Sequence, residues 1–298
     1  MRRREFLAGL VLAAATRPAR AQPRATPPRI AIFHPAIPVA LLTETGGGSA
    51  WRAFFAELRR LGYVEGQNLI IERYSAEGHH ERYADIAREI VTRNPDLIVT
   101  GTNPVVIAFR AATSAIPVVA FMVDPLKAGL VASLARPGGN LTGITLDAGV
   151  EIWAKRLELL KEAVPSTAKV VFLGMREGWE GSFGQVLQDA GSRLGISLTS
   201  MLPQTGTPAE IERVFAAIAE QRPDAVLVSG EGDLYANLRL IAELAEKNRL
   251  PTMSSYRDNV DAGGLMAYTV DLAELLRRMA DGDSASPATR HHRPPSTA

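Results

Sequence analysis

The segment Thr100-Gly101-Thr102-Asn103-Pro104 carries the residue types best suited to recognising a solute. An apolar run ends at Gly101, Asn103 can cap a helix, and Pro104 suits that helix's first turn. Thr102 and Asn103 would then present unpaired N–H groups to whatever lies beyond. A carboxylate is the anion such a terminus holds; an ordinary hydrated N-cap uses the same residues. Phe121-Met122-Val123-Asp124-Pro125 closes the next apolar run. There Asp124 can accept charge-assisted hydrogen bonds from an ammonium, or simply start a turn. Trp179, Tyr235 and Tyr256 follow later strand ends and offer the apolar walls that small-molecule pockets need. His34 follows the first strand and can line the same space or sit in the core.

Signatures of catalysis are missing from this set. No Gly-x-Ser-x-Gly elbow, His-Glu-x-x-His pair, phosphate loop or Gly-x-Gly-x-x-Gly turn occurs, and Gly46-Gly47-Gly48-Ser49 lacks the lysine of a phosphate site. His79-His80-Glu81 has no third ligand at a metal spacing, and His291-His292 lies in a polar stretch; both read as solvated surface. Cysteine is absent, which excludes disulfides, thiolate metal sites and a thiol nucleophile. The expectation is a binding protein with no catalytic residue, metal or cofactor, a hydrolase with sequence-distant catalytic groups being the alternative.

These residues need a scaffold that brings strand ends together. Short apolar runs near 29–33, 68–72, 97–100, 117–122, 169–173, 225–229 and 264–268 read as strands. Between them, helical spacing over Trp51, Phe54, Phe55, Leu58 and Leu61 predicts one helix, and others are expected near 81–93, 104–114, 151–163, 181–194, 208–221 and 235–248. Such alternation argues for α/β architecture with parallel sheets covered on both faces. Asn94-Pro95-Asp96 precedes DLIVTG, and Arg222-Pro223-Asp224 precedes DAVLVSG, so the chain reads as two similar lobes. In open parallel sheets ligands bind beyond the carboxyl ends of the strands. Pro137-Gly138-Gly139-Asn140 is a turn, expected to lead into an inter-lobe crossing from Thr142 to Asp147.

Arg2, Arg3 and Arg4 precede Glu5-Phe6-Leu7 and an apolar run from Ala8 to Ala15, with Ala19-Arg20-Ala21 as a small-x-small cleavage site. That pattern predicts a twin-arginine signal over residues 1–21 and a periplasmic destination. No later stretch reaches the roughly 20 apolar residues of a membrane span, so no direct membrane insertion of the mature chain is expected. The formal net charge is +1; removing residues 1–21 takes five arginines and Glu5 with it and leaves −3. A near-neutral surface gives no electrostatic reason to expect nucleic acid as partner.

The phrases GYVEGQNLIIERYSAEG (62–78), GLVASLARPGGNLTGIT (129–145), AKRLELLKEAVP (154–165) and AGGLMAY (262–268) resemble the ABC transporter substrate-binding protein family that includes bacterial tryptophan- and tyrosine-binding lipoproteins. The resemblance runs from about residue 29 to about 280. It implies a type I periplasmic binding fold, two doubly wound parallel-sheet lobes with a ligand cleft between them. Lobe 1 would span 29–145, lobe 2 146–268, and 269–280 would cross back to lobe 1. It further implies a small-molecule ligand, here a carboxylated amine such as an aromatic amino acid, and an ABC permease as partner. A departure is the loop Met175–Trp179, where relatives usually carry an Asn/Pro-rich turn. A DNA-binding regulator built on the same lobes would need its reading helices where the export signal stands. Residues 281–298, DGDSASPATRHHRPPSTA, hold no apolar side chain larger than Ala and are expected to be disordered. The resemblance implies a further strand and helix there. A frameshift or early stop is expected in preference to a natural flexible tail, with a receptor less stable than one whose reading frame is restored and, as the alternative, a non-functional one.

Overall fold

The computed structural model describes residues 26–134, 137–146 and 150–282. The proposed signal and residues 283–298 of the proposed tail lie outside the described residues. Lobe 1 runs through β1 (Arg29–His34), α1 (Ser49–Arg60), β2 (Ile70–Ser75), α2 (Tyr83–Thr92), β3 (Leu97–Gly101), α3 (Asn103–Ala112), β4 (Val118–Met122) and β5 (Leu141–Thr145). Lobe 2 begins with α4 (Glu151–Ala163), β6 (Lys169–Leu173), α5 (Gly184–Leu194), β7 (Ser197–Met201) and α6 (Pro208–Gln221). It continues through β8 (Ala225–Val228), α7 (Gly232–Ala236), α8 (Leu238–Lys247), β9 (Thr252–Ser254), α9 (Arg257–Asp261) and β10 (Met266–Ala267). The last helix, α10 (Leu272–Ala280), packs on α1 of lobe 1.

Both sheets are parallel throughout, with orders β2-β1-β3-β4-β5 and β10-β9-β8-β6-β7. Counted from each lobe's own first strand, the two orders are the same. A parallel strand in such a sheet is buried on both faces, so its residues divide between two cores. In lobe 1, Ile30, Ile32, Val99 and Val119 pack under Trp51, Phe54 and Phe55 of α1 and Leu275, Leu276 and Met279 of α10. Their neighbours Ala31, Phe33, Ile98 and Val118 face Ile86 and Ile90 of α2 and Val106 and Phe109 of α3. Lobe 2 repeats the arrangement, with Phe172 and Leu227 against α4 and α5, and Val171 and Val226 against α6 and α8.

The repeated Pro-Asp phrase does the same work in each lobe. Asn94 and Arg222 end their helices with positive φ, 50° and 49°. The following aspartate then clamps the neighbouring strand at its start. Asp96 Oδ2 accepts from Arg29 N at 2.8 Å, and Asp224 Oδ2 accepts from Ala168 N and Lys169 N at 2.7 and 2.8 Å.

Some expected elements fall elsewhere. The segment from Thr142 to Asp147, read as an inter-lobe crossing, begins as β5, an edge strand paired with β4 from Val118↔Leu141 to Met122↔Thr145, and the chain leaves lobe 1 only after it. Within β5, Gly143 is required by the close approach to β4. A Cβ there would sit 1.7 Å from the Ala120 carbonyl oxygen. β7 (SLTSM) was not expected, because an exposed edge strand carries no apolar run, and β9 has only three residues.

Leu276 is 1% exposed between α10 and α1. Leu276→Ala should cost about 2–5 kcal/mol, the usual range for a fully buried leucine, read as a lowered urea midpoint with unchanged m-value.

Candidate functional site

The carboxyl ends of both sheets open onto one gap, a cavity of about 560 Å³ between the lobes. Lobe 1 contributes Thr102, Asn103, Pro104 and Ile107 after β3, Phe121, Val123, Asp124 and Lys127 after β4, and His80 and Tyr83 at the start of α2. Lobe 2 contributes Ile152, Trp153 and Arg156 of α4, Met175, Glu177 and Phe183 after β6, Glu231 and Asp233 after β8, and Ser255 and Tyr256 after β9. Leu146, Thr269 and Val270, on the segments between the lobes, complete the lining.

Of the residues expected from the sequence, Thr102, Asn103, Phe121, Asp124 and Tyr256 line this cavity. Gly101 carries no side chain for a steric reason, since a Cβ would lie 1.9 Å from the Phe121 ring. The chain then leaves β3 through Thr102 at φ 67°, ψ 141°, a strained conformation for a β-branched residue. Asn103 does not cap α3 with its side chain. Its Nδ2 donates to the Val123 carbonyl at 2.7 Å and its Oδ1 accepts from Val123 N at 3.1 Å, so it ties the ends of β3 and β4 together. Asp124 Oδ1 accepts from Lys127 N at 3.1 Å, which makes its carboxylate a turn starter at the rim. Tyr256 donates its hydroxyl to the Gly230 carbonyl at 2.7 Å and fixes that loop.

Three expected residues are placed away from the cavity. His34 is 2% exposed, and its Nδ1 accepts from Ala36 N and Ile37 N at 3.0 and 2.8 Å. Burial pushes its pKa down to about 3, so it is a neutral cap of the turn after β1. Trp179 forms a second layer, its ring 5.1 Å from that of Phe172. Tyr235 packs edge-on against Tyr256 at 5.0 Å and lies over Gly48 of the opposite lobe, where a Cβ would collide with its hydroxyl.

The residues not foreseen are informative. Trp153, not singled out in the sequence, stacks on Phe183 at 4.5 Å, and the Arg156 guanidinium lies 4.3 Å from its ring centroid. Arg156 is 5% exposed and donates Nε to the Tyr268 carbonyl at 2.8 Å. His80, read as surface, is half-buried in the cleft, its Nε2 3.0 Å from Asp233 Oδ2. Among the described residues no group of side chains is arranged to hold a metal.

Glu231 and Asp233 form the acidic end. Glu231 keeps some exposure as a residue, but both carboxylate oxygens are shut from solvent and no side chain among the described residues pairs with them, the backbone amides of Glu231 and Met175 being the donors that face them. Desolvation raises its pKa to about 8, with Asp233 and Glu177 pushing the same way and the backbone amides of Glu231 and Met175 offsetting part of the shift. Asp233 Oδ1 is also buried, and the Tyr83 hydroxyl, whose pKa is raised by burial and by Asp233, stands beside this carboxylate.

The lobes stand closed on each other. Besides the His80–Asp233 pair, Ser49 N and Oγ donate to the two oxygens of Asp258, each at 3.0 Å. Lys127 Nζ donates to the Gly181 carbonyl at 2.8 Å, and Gly206 N donates to the Gly78 carbonyl at 3.0 Å.

Residues 42–281 match the family model described as ABC transporter substrate binding protein. The tyrosine-binding protein of Clostridioides difficile is 26% identical over 228 residues, 76% of this chain. The chain spans 64% of that relative's length. A conserved domain protein from Vibrio cholerae superposes with a TM-score of 0.72 at 24% identity, covering 85% of this chain and 82% of the other. The ABC domain from Streptococcus pneumoniae in complex with L-Trp does so at 0.69 and 19% identity, covering 87% and 84%. The shared fold is the two-lobed type I periplasmic binding architecture.

Thr102→Gly should release backbone strain and raise stability by about 1 kcal/mol, measurable as a higher melting temperature. The latch across the cleft should depend on pH. Asp233 holds the His80 proton and raises its pKa against the opposing effect of burial, with Glu177 and Glu81 assisting. The closed form therefore gains this contribution fully below the ordinary histidine value near pH 6.5 and loses it as pH rises through the raised value. Small-angle scattering of ligand-free protein should show the radius of gyration growing across that interval, and His80→Gln should flatten the profile.

Proposed function

Because the chain belongs to the ABC transporter substrate-binding protein family, we propose that it captures a small carboxylated amine, an aromatic amino acid being the best fit, and presents it to an ABC permease. The observation that carries this reading is the cavity itself. It lies between the strand ends of two lobes, with an aromatic shelf of Trp153 and Phe183 on one side and Phe121 on the other. An aromatic side chain gains from both burial and ring stacking there. The carboxylate is assigned to the start of α3, where Pro104 has no N–H and Val106 N already bonds the Thr102 carbonyl at 3.2 Å. Of the first-turn amides, that of Asn103, which lines the cavity, is the donor that remains for an anion. The names of the tyrosine-binding relative and of the tryptophan complex support the same class.

Function then follows from closure rather than chemistry. A solute that touches both walls stabilises the closed form over the open one by its differential affinity, and a membrane partner reads the difference. Family members are binding proteins rather than enzymes and typically act outside the cell or in the periplasm. The Arg2–Arg4 segment with its apolar run supports twin-arginine export to the periplasm for this chain. Among the described residues no helix is long and apolar enough to cross a membrane.

Calorimetry and thermal shift with a panel of amino acids, organic acids and neutral sugars test the reading. Tryptophan or tyrosine at about 100 times its dissociation constant should stabilise the protein by about 2.7 kcal/mol. Trp153→Ala should weaken that binding by roughly 10- to 100-fold, since the shelf loses its larger ring. Binding of neutral sugars alone would overturn it.

A further inference from the structure

We propose that Tyr235 of lobe 2 is the positioning residue for closure: seated on Gly48, it completes with Asp258 the N-terminus of α1 in lobe 1, and the lobes shut only where this seat is free. The proposal rests on capture by closure and holds whichever solute the cleft takes.

The start of α1 depends on the other lobe. Its N-cap is Gly48, which has no side chain to offer, while first-turn amides need an oxygen and favour a negative one. Lobe 2 supplies both. Asp258 of α9 accepts from Ser49 N and Ser49 Oγ, each at 3.0 Å, and the next amide, that of Ala50, faces the Tyr235 hydroxyl. A helix of one lobe is thus finished by side chains of its neighbour.

The short helix α7 is the tongue that brings Tyr235 there. Gly232, at its start, lies so close to lobe 1 that a Cβ would come 2.6 Å from Pro35 Cγ and 3.2 Å from Thr102 Cγ2. Asp233 turns to His80, and Leu234 and Tyr235 enter the same buried cluster as Leu42 and Trp51 of lobe 1. The fit at Gly48 is steric. Its backbone, at φ −77° and ψ 170°, is one that any residue adopts, so its conformation does not call for glycine. A Cβ would instead overlap the Tyr235 hydroxyl and lie 2.7 Å from Cζ. Tyr235 is 9% exposed and stands edge-on against Tyr256, which braces the ring against yielding. Because the obstructing atoms belong to lobe 2, glycine at position 48 matters only while the lobes are shut.

The test is a cycle of Gly48→Ala, Tyr235→Leu and the double variant in the full chain, beside wild type. The sequence has no cysteine, so spin labels on Ala84→Cys of α2 and Ala216→Cys of α6, both exposed, report lobe separation by pulsed electron resonance. L-tryptophan is the probe for calorimetry. Gly48→Ala should move the labels from the closed to an open separation and weaken tryptophan binding by roughly tenfold or more, because the closed fraction falls. In the Tyr235→Leu background, which leaves space for the added methyl, the same change should leave the separation in place and alter affinity less than about twofold. A folding defect at Gly48 would not show that dependence, since it would persist whatever stands at position 235. Gly48→Ala protein that closes and binds like wild type overturns the proposal, as does an equal loss in both backgrounds. Wild-type labels that stay at the open separation with and without tryptophan overturn it too. If tryptophan binds none of the four proteins while the separations follow the cycle, the seat stands and the amino-acid reading falls instead.

Discussion

The parallel alignment of the strands in each sheet is the constraint on which everything else in this molecule depends. A parallel strand needs a crossover to return to its starting edge, and helices on both faces are the way to make one. Each lobe is therefore sealed above and below, and only the strand ends are left to meet a solute. Asp96 and Asp224 hold this alignment at the far ends, fixing where β1 and β6 begin relative to β3 and β8. Register there sets register at the cleft, where Gly101, Thr102 and Phe121 on one side must meet Gly230, Glu231 and Tyr256 on the other. The strain at Thr102 is tolerated because its position is fixed from both directions, by β3 behind it and by the Thr102 N to Phe121 carbonyl bond beside it.

How much of this was legible in the sequence follows the physics of each element. Strands β3, β4, β6 and β8 are buried on both faces, so their apolar runs announced them. The edge strands β5 and β7 are half-exposed, and their composition resembles loop. The general location of the cleft followed from strand ends, which is why Thr102, Asn103, Phe121, Asp124 and Tyr256 line it. What those side chains do there depends on partners far away in sequence: Asn103 is taken up by Val123, and Asp124 by Lys127. His34 is a clear case, since nothing local to FHPAI tells a turn cap from a cleft residue. Trp153 was hidden in a helix whose apolar stripe continues into the core at Leu157 and Leu160. Glu231 was readable in principle by the reasoning applied to Asp124, an acid just past a strand end. What distinguishes the two is burial without a side-chain partner, which only the packed structure reveals.

That burial has a consequence for how the cleft opens and closes. The bonds that span the lobes, Ser49 to Asp258, Lys127 to Gly181 and His80 to Asp233, are individually modest, each on the order of 1 kcal/mol once water is counted. Against them stands the penalty of enclosing the Glu231 carboxylate with no side chain among the described residues paired to it, roughly 1–3 kcal/mol for an unsatisfied group and more where charge is involved. Latches and penalty are of similar size and opposite sign, so neither by itself fixes the closed arrangement of the lobes. A solute that bridges the walls shifts this balance only by touching groups that differ between the open and closed arrangements, so the residues that line both lobes, rather than the latches at their rim, are where selectivity and closure meet.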